Sequence, residues 1–490
     1  MRSSPSGVPN CAGWVDADAL LELETALGVP KFRGYSIGSL LGDFYTVSMF
    51  NGHARWSAAS MLAHCARWCY RCAHGITTGI PPSNTGRDKY LITSIDIRPT
   101  LAGLVFPVIE ALGPDNCVVI GQPGVQALLP RRVEFLSWDA LPRVDMSEWR
   151  SAYFPGVAEW LRTLSAFRKL RRLPYGFIPE LLDWTASQTQ RVLAYERLLE
   201  IVRPATVLTE FDRNHLVAPL MIAARVKRVP TITLVHGVAN RLYTPLLADV
   251  VCCWGESDRA TFANCGVEAG RIVVTGQPRI QREVAPINAE RKSEILGRST
   301  KCTLLFASSP IATGLKLKLA GEFCEAVSAL PNTAAIIRLH PSECVSEYRH
   351  VSDAHPAAIF LPNNACTLDE ALSLADVIVV HNSSVGIDAL IRQRPTVVLD
   401  SVAGEWPNAA ALVQHAHCPV AKDGAELQRV LAALVADDAL RAAVIEWAAP
   451  YARGLCVAYG SEAAARIADT AKRMAANSGR HLESAHASLF

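Results

Sequence analysis

Charge of either sign is nearly balanced in this chain. Its 48 Lys and Arg stand against 46 Asp and Glu, a net charge of +2. Wholesale nucleic-acid binding normally rests on a strong basic excess, so no nucleic-acid partner is expected. Long apolar runs are missing too: nothing approaches the roughly 18 consecutive apolar residues of a membrane-spanning helix. The opening Met1-Arg2-Ser3-Ser4-Pro5 lacks the apolar stretch of a secretory signal, which points to a cytoplasmic protein. No Asp-x-Asp pair stands at a strand end, so neither a catalytic divalent cation nor another cofactor is expected. The glycine and Gly-Lys-Ser/Thr spacing of a P-loop is also absent. Neither internal repeats nor low-complexity tracts occur.

What is present is apolar mass. Half of the 490 residues are apolar and 19% are charged, too much chain for one core and enough for two or three domains. The 14 cysteines are scattered through apparent strands and helices, which suits reduced, buried thiols. One cluster, His64, Cys65, Cys69, Cys72 and His74, has metal-ligand chemistry. Its cysteines fall at i, i+4 and i+7 without an intervening turn, so a buried helix face from Trp56 to Cys72 is expected in place of a zinc site.

Periodicity divides the chain. Residues 1–88 read as a mostly helical leader (Ala17–Leu27, Trp56–Cys72) with a polar break at Thr77–Arg87. Strands then alternate with helices over residues 89–280: Tyr90–Ser94, Cys117–Gly121, Val133–Leu136, Thr206–Leu208, Thr231–Val235, Asp249–Trp254 and Ile272–Thr275. A helical interlude covers Trp149–Leu173 and Pro179–Ile201. A charged linker spans 281–300. A second series over 301–476 contains Thr303–Phe306, Ala335–Leu339, Ala358–Phe360, Val377–Val380 and Thr396–Leu399, then closing helices from Ala425. Residues 477–490 read as a flexible tail. The pattern is an α/β chain with two Rossmann-like, doubly wound lobes and a helical leader, whose ligands bind at strand carboxyl ends.

The chemistry-bearing residues gather at those ends. Ser383-Ser384-Val385-Gly386 follows a strand and opens a helix carrying Asp388, an arrangement suited to phosphate oxygens, with Asp388 near ribose hydroxyls. A plain helix cap is the alternative. His340-Pro341 ends a neighbouring strand, where proline blocks continuation and an imidazole can meet charge on a departing phosphate. Ser308-Ser309 ends another strand, followed by Ile311–Gly314, Lys316 and Lys318, a phosphate-reaching loop or an ordinary turn. In the first lobe His236-Gly237 is placed to take a proton from an acceptor hydroxyl, with Glu210 or Asp212 orienting it or acting as the base itself. Arg162, Arg168, Lys169, Arg171 and Arg172 form a basic amphipathic segment, either a solvated face or a peripheral contact with an anionic membrane.

The motif order from Ile232 onward, "LVHGVANR", "GQPRI", "IIRLHPSE" and "VVHNSSVGIDAL", resembles the two-lobed GT-B glycosyltransferases that build bacterial surface polysaccharides. The nearest flavour is the capsule group: sialyltransferases, Kdo transferases and CDP-glycerol polymerases. The resemblance spans roughly residues 205–475. It implies nucleotide binding by His340-Pro341 and Ser383-Ser384, a catalytic histidine at His236-Gly237, and a Gln-Pro element at Gln277-Pro278. The acidic-acidic-Gly triplet of the sialyltransferases is not found. Non-hydrolysing UDP-GlcNAc epimerases share the lobes and motif order, but their characteristic acidic residues are not evident. The expectation is therefore a metal-independent, inverting transferase moving a sugar from a CMP- or UDP-linked donor to a glycan or lipid-linked saccharide. Epimerisation or glycerol-phosphate transfer on the same fold is the alternative, and a non-catalytic nucleotide-sugar binder the alternative of another class.

Overall fold

The computed structural model describes residues 31–32, 35–36, 58–74, 88–95, 99–155, 177–237, 239, 243–281, 286–362, 364–406 and 408–487. The expected helix at Ala17–Leu27, the break at Thr77–Arg87 and the basic segment Arg162–Arg172 lie outside them. A short antiparallel pair, β1 (Lys31–Phe32) and β2 (Tyr35–Ser36), precedes two larger sheets.

The first sheet holds β3 (Tyr90–Ser94), β4 (Cys117–Gly121), β5 (Glu134–Ser137), β6 (Thr206–Thr209), β7 (Thr231–Leu234), β8 (Val250–Cys253) and β9 (Ile272–Val274). All neighbours are parallel, in the order β5-β4-β3-β6-β7-β8-β9. The second holds β10 (Cys302–Ala307), β11 (Thr333–Arg338), β12 (Ile359–Leu361), β13 (Val377–Val380), β14 (Thr396–Leu399) and β15 (Val420–Ala421). It too is parallel, ordered β12-β11-β10-β13-β14-β15. Runs such as Val377–Val380 are buried along their whole length, as parallel strands covered on both faces must be. In both sheets the order of strand addition reverses once, between β3 and β6 and between β10 and β13. Such switch points open a crevice at the strand carboxyl ends.

The chain divides into two compact units. One draws on Asn10–Trp254, Asp258–Arg279 and Gly460–Phe490, the other on Gly255–Ser257 and Ile280–Tyr459. The second lobe, expected to reach residue 476, therefore stops at Tyr459. The helix Gly460–Ala487 turns Ala464, Ile467, Ala468 and Ala471 into the core that the helix Pro99–Leu112 shares with the first sheet. Small side chains let it approach closely, and Thr206 Oγ1 donates to the Ala471 carbonyl at 3.3 Å. The tail expected to be flexible from 477 is part of this helix through Ala487. The expected linker contains a helix, Ala289–Leu296, capped by Asn288 Oδ1 and closed by left-handed Gly297.

Two further expectations are corrected. The helix Ala58–His74 forms where expected, yet Cys65 and Cys69 are exposed and Cys72 only half-buried. Its inward face is carried by Trp68 and Cys72 on the core, and by Arg67 and Arg71, which pair with Asp183 at 3.0 and 2.7 Å. The phosphate-reaching loop after Ser309 is short, because a helix begins at Thr313 and runs to Ser328 with Lys316 buried in it. Among the described residues no helix is long and apolar enough to cross a membrane.

Candidate functional site

In the first unit, the switch point is closed by hydrogen bonds. The Thr93 hydroxyl lies 2.8 Å from that of Thr209 and donates to Glu210 Oε2 at 2.6 Å. Ile95 N–H donates to Glu210 Oε1 at 2.8 Å. Glu210 is fully buried by these partners. Its backbone carbonyl accepts from His236 Nδ1 at 2.9 Å, one strand end further along the sheet. A carbonyl oxygen can only accept, so Nδ1 carries the proton and the neutral ring keeps its lone pair on Nε2. That is the tautomer a general base needs.

The ring of His236 packs edge-on to Phe211, centroids 5.6 Å apart, and beside Tyr243 at 5.7 Å. Tyr243 Oη lies 3.1 Å from Nδ1 and accepts from Gly237 N–H at 3.4 Å. Burial raises the Tyr243 pKa, so its phenol stays protonated. Behind the histidine, the Val235 carbonyl accepts from Trp254 Nε1–H at 2.7 Å and Gln277 Nε2–H at 3.1 Å. Among the described residues nothing stands within 4 Å of where a Cβ on Gly237 would be.

Two residues read from the sequence as functional serve structure here. Asp212 is fully buried, and its Oδ2 accepts from the N–H groups of Leu247 and Ala248 at 2.7 and 2.8 Å. Burial pushes its pKa up to about 6, against the opposing pull of those N–H groups and Arg213. A carboxylate fixed in this way is not placed to orient His236. Gln277 is likewise fully buried, with its amide on Val235 and its oxygen accepting from Arg279 N–H at 3.2 Å. It braces the strand end that bears His236 and is not presented to a nucleotide.

In the second unit, three neighbouring strand ends are laced together at the switch point. Ser309 Oγ donates to the Asn382 carbonyl at 2.6 Å, joining β10 to β13. Ser308 Oγ lies 2.6 Å from Tyr348 Oη and donates to Glu343 Oε1 at 3.2 Å, joining β10 to the loop after β11. Both serines are buried, so they position the ends of the crevice and present no hydroxyl to solvent. His340 follows β11, half-buried, with Pro341 and Ser342 exposed. Ser342 N–H donates to His340 Nδ1 at 3.2 Å, and Ser342 Oγ lies 2.7 Å away. A backbone N–H can only donate, so this ring accepts at Nδ1 and carries its proton on Nε2.

The Ser383-Ser384 turn follows β13, with Ser384 exposed and Ser383 half-buried. Val385 N–H approaches Ser383 Oγ at 3.4 Å, and the helix Val385–Ile391 begins there. Gly386 has a packing reason to be glycine: a Cβ would stand 2.5 Å from Leu412 Cδ1 and 3.2 Å from Val380 Cγ2. Asp388 is buried and faces the Arg392 guanidinium at 3.6 Å, a partner that holds it inside the fold and not toward a ribose. Lys316 is also committed. It pairs with Glu347 Oε2 and Glu343 Oε1, the latter at 3.5 Å. Lys316 holds the Glu347 carboxyl well below its usual range, at about 2. Among the described residues of this switch point Asn382, Ser384 and Ser342 are exposed, and Ser383 and His340 are half-buried.

Sequence reading missed Thr93, Tyr243, Ser342 and Glu343. The last two follow His340-Pro341 directly, and a histidine with a hydroxyl two residues on was a usable signal. Tyr243 and Thr93 reach their partners only through the fold.

Comparison with known proteins bears on the fold and the family. A family model for UDP-N-acetylglucosamine 2-epimerase matches residues 183–470, more than half of the chain. No curated protein matches by sequence. Among solved structures, an S. aureus MnaA–UDP co-structure is similar with TM-score 0.50 and 14% identity, covering 77% of this chain and 94% of that one. A putative UDP-N-acetylglucosamine 2-epimerase from Listeria monocytogenes is similar with TM-score 0.51 and 14% identity, covering 81% and 97%. The glycosyltransferase of kitacinnamycin is similar with TM-score 0.52 and 15% identity, covering 79% and 99%. Common to these matches is a nucleotide-sugar enzyme fold of two Rossmann-like sheets. The narrower capsule-type group is not what they single out.

Proposed function

Because this chain belongs to the UDP-N-acetylglucosamine 2-epimerase family, we propose that it acts on a UDP-linked sugar and transfers that sugar to an acceptor hydroxyl without a metal ion. The UDP named with the similar S. aureus structure supports a uridine donor over a CMP-linked one. The observation that carries the reaction type is the His236 tautomer, fixed by the Glu210 carbonyl, which leaves the ring's lone pair on Nε2. In the reaction, Nε2 of His236 takes the acceptor hydroxyl's proton as the oxygen bonds to the anomeric carbon. The bond from that carbon to the diphosphate breaks, and its electron pair leaves with UDP. His340 Nε2–H and the Ser384 and Ser383 hydroxyls donate to the diphosphate oxygens as charge builds there.

The family match also favours a second reading, epimerisation. Inverting a C–H centre takes a proton off one face and returns one to the other, which calls for two proton-handling groups. Glu210 and Asp212, the carboxylates at the β6 end, both carry structural hydrogen bonds, and His236 is left as the group suited to take a proton. With both carboxylates of that strand end committed, His236 as the base supports transfer.

The two readings separate in one experiment. Purified protein incubated with UDP-N-acetylglucosamine, or with other UDP-sugars, is followed by proton NMR with and without glycan acceptors. Transfer gives UDP and a new glycoside only when acceptor is present. A second UDP-sugar formed without acceptor makes the protein an epimerase. Absence of any turnover, with UDP still bound, makes it a binding protein.

A further inference from the structure

The four residues His340-Pro341-Ser342-Glu343 close on themselves. His340 N–H donates to Glu343 Oε2 at 2.8 Å, and Glu343 N–H donates back to the His340 carbonyl at 2.9 Å. Within this ring Pro341 restricts the backbone, and Ser342 directs its N–H and its hydroxyl at His340 Nδ1. Glu343 is the hub. Its side chain is only 2% exposed, and it also accepts from Ser308 Oγ and lies 3.5 Å from Lys316 Nζ. A buried carboxylate with a single role would be a costly way to make one turn. Here each oxygen has a donor, a buried lysine offsets the charge, and Tyr348 covers the assembly with Lys316 Nζ 5.6 Å from its ring centre.

We propose that Glu343, together with Ser342, is a positioning residue that holds His340 as a neutral Nε2–H donor, and that Lys316 serves Glu343 and not the ligand. With Nδ1 occupied by an N–H and a hydroxyl, the imidazole has one way to hold its proton. With its backbone N–H tied to Glu343, the ring cannot swing away from the strand end. The four-residue word H-P-S-E is then one device: a donor, a backbone lock, a tautomer lock and an anchor. Identification of the diphosphate as what Nε2–H meets rests on the proposed function; the tautomer lock does not.

The test reads both parts. In full-length protein labelled with 15N-histidine, long-range proton–nitrogen correlation shows which ring nitrogen of His340 is protonated, with His340→Ala giving the assignment. Wild type shows Nε2–H. Glu343→Ala, which releases the turn that aims Ser342 N–H at Nδ1, gives mixed tautomers, whereas Ser342→Ala, an exposed change that keeps the backbone N–H, leaves the proton on Nε2. Glu343→Gln, whose amide oxygen still accepts from His340 N–H, keeps the wild-type tautomer; a residue needed only for its charge would not be rescued this way. Calorimetry with UDP gives affinity weakened about 10–100-fold in Glu343→Ala, the worth of a charge-assisted hydrogen bond, and close to wild type in Glu343→Gln. A wild-type ring protonated at Nδ1 overturns the proposal, as does a Glu343→Ala protein with unchanged tautomer and unchanged UDP affinity. Should Glu343→Ala fail to fold, Glu343→Gln decides: loss of the wild-type tautomer there is a refutation. Wild-type protein that ignores UDP sinks the uridine reading alone, since the tautomers are read without ligand.

Discussion

His236 and His340 end parallel strands in different units, and the backbone treats them oppositely. At His236 a carbonyl faces Nδ1, so the ring keeps a lone pair on Nε2. At His340 an N–H faces Nδ1, so the ring keeps a proton on Nε2. The same side chain is left with a lone pair on Nε2 in one place and a proton there in the other. What differs is which backbone group the local turn supplies. Which ring nitrogen holds the proton is set by the neighbouring backbone group, and residue type alone does not reveal it.

Substituting the two histidines tests that contrast most severely. His236→Ala removes the base, and turnover of a UDP-sugar with acceptor falls by about 10²–10⁴. UDP affinity, read by calorimetry, stays near wild type. His340→Ala removes a transition-state donor, and turnover falls by about 10²–10³ with weaker UDP binding. If the two variants lose UDP affinity equally, the division of labour between base and donor is wrong.

The units also differ in the direction in which folding shifts their carboxylates. Asp212 and Asp258, in the first unit, are pushed up to about 6 and about 7 by burial. A carboxyl raised by folding binds its proton more tightly in the folded state, so its contribution to stability is full below its unfolded pKa near 4. It is lost as pH rises through 6–7. Glu347, in the second unit, is lowered to about 2 chiefly by Lys316, and stability tied to it is lost as pH falls from about 4.5 toward 2. Thermal melts from pH 4 to 8 show a decline on the alkaline side that Asp212→Asn flattens. A slope that survives both Asp212→Asn and Asp258→Asn places its origin elsewhere.

The smallest effect concerns Gly386. Gly386→Ala overpacks against Leu412 and costs about 1–3 kcal/mol in a denaturant melt, partly recovered in a Gly386→Ala/Leu412→Ala double variant. UDP affinity is little changed. Strong loss of UDP binding with unchanged stability would return Gly386 to the ligand.

Much of the fold was legible because buried parallel strands are written as short β-branched runs. Tyr90–Ser94, Cys117–Gly121, Val377–Val380 and Thr396–Leu399 were read to the residue. The strand-end positions of His236, His340 and Ser383-Ser384 followed from them. What could not be read was which polar groups the fold would claim for itself. Asp212 is bound by N–H groups 35 and 36 residues on, Gln277 reaches a carbonyl 42 residues back, and Lys316 finds Glu347 31 residues on. No periodicity announces such pairs. Cys65 and Cys69 misled for a related reason: helical spacing gives a face, but not which way that face turns.

The closing helix has a bearing on synthesis. The apolar core built around β3, β6, β7 and β8 includes Ala464, Ile467, Ala468 and Ala471 of the closing helix. β8 ends at Cys253 and the helix starts at Gly460. At roughly 5–20 residues per second, a ribosome needs about 10–40 s to cross that span. Through that interval the nascent first sheet stands with one flank bare, and a chain cut short near residue 459 keeps it bare for good. Such a fragment should be clipped by protease at helix Pro99–Leu112, where the intact chain resists.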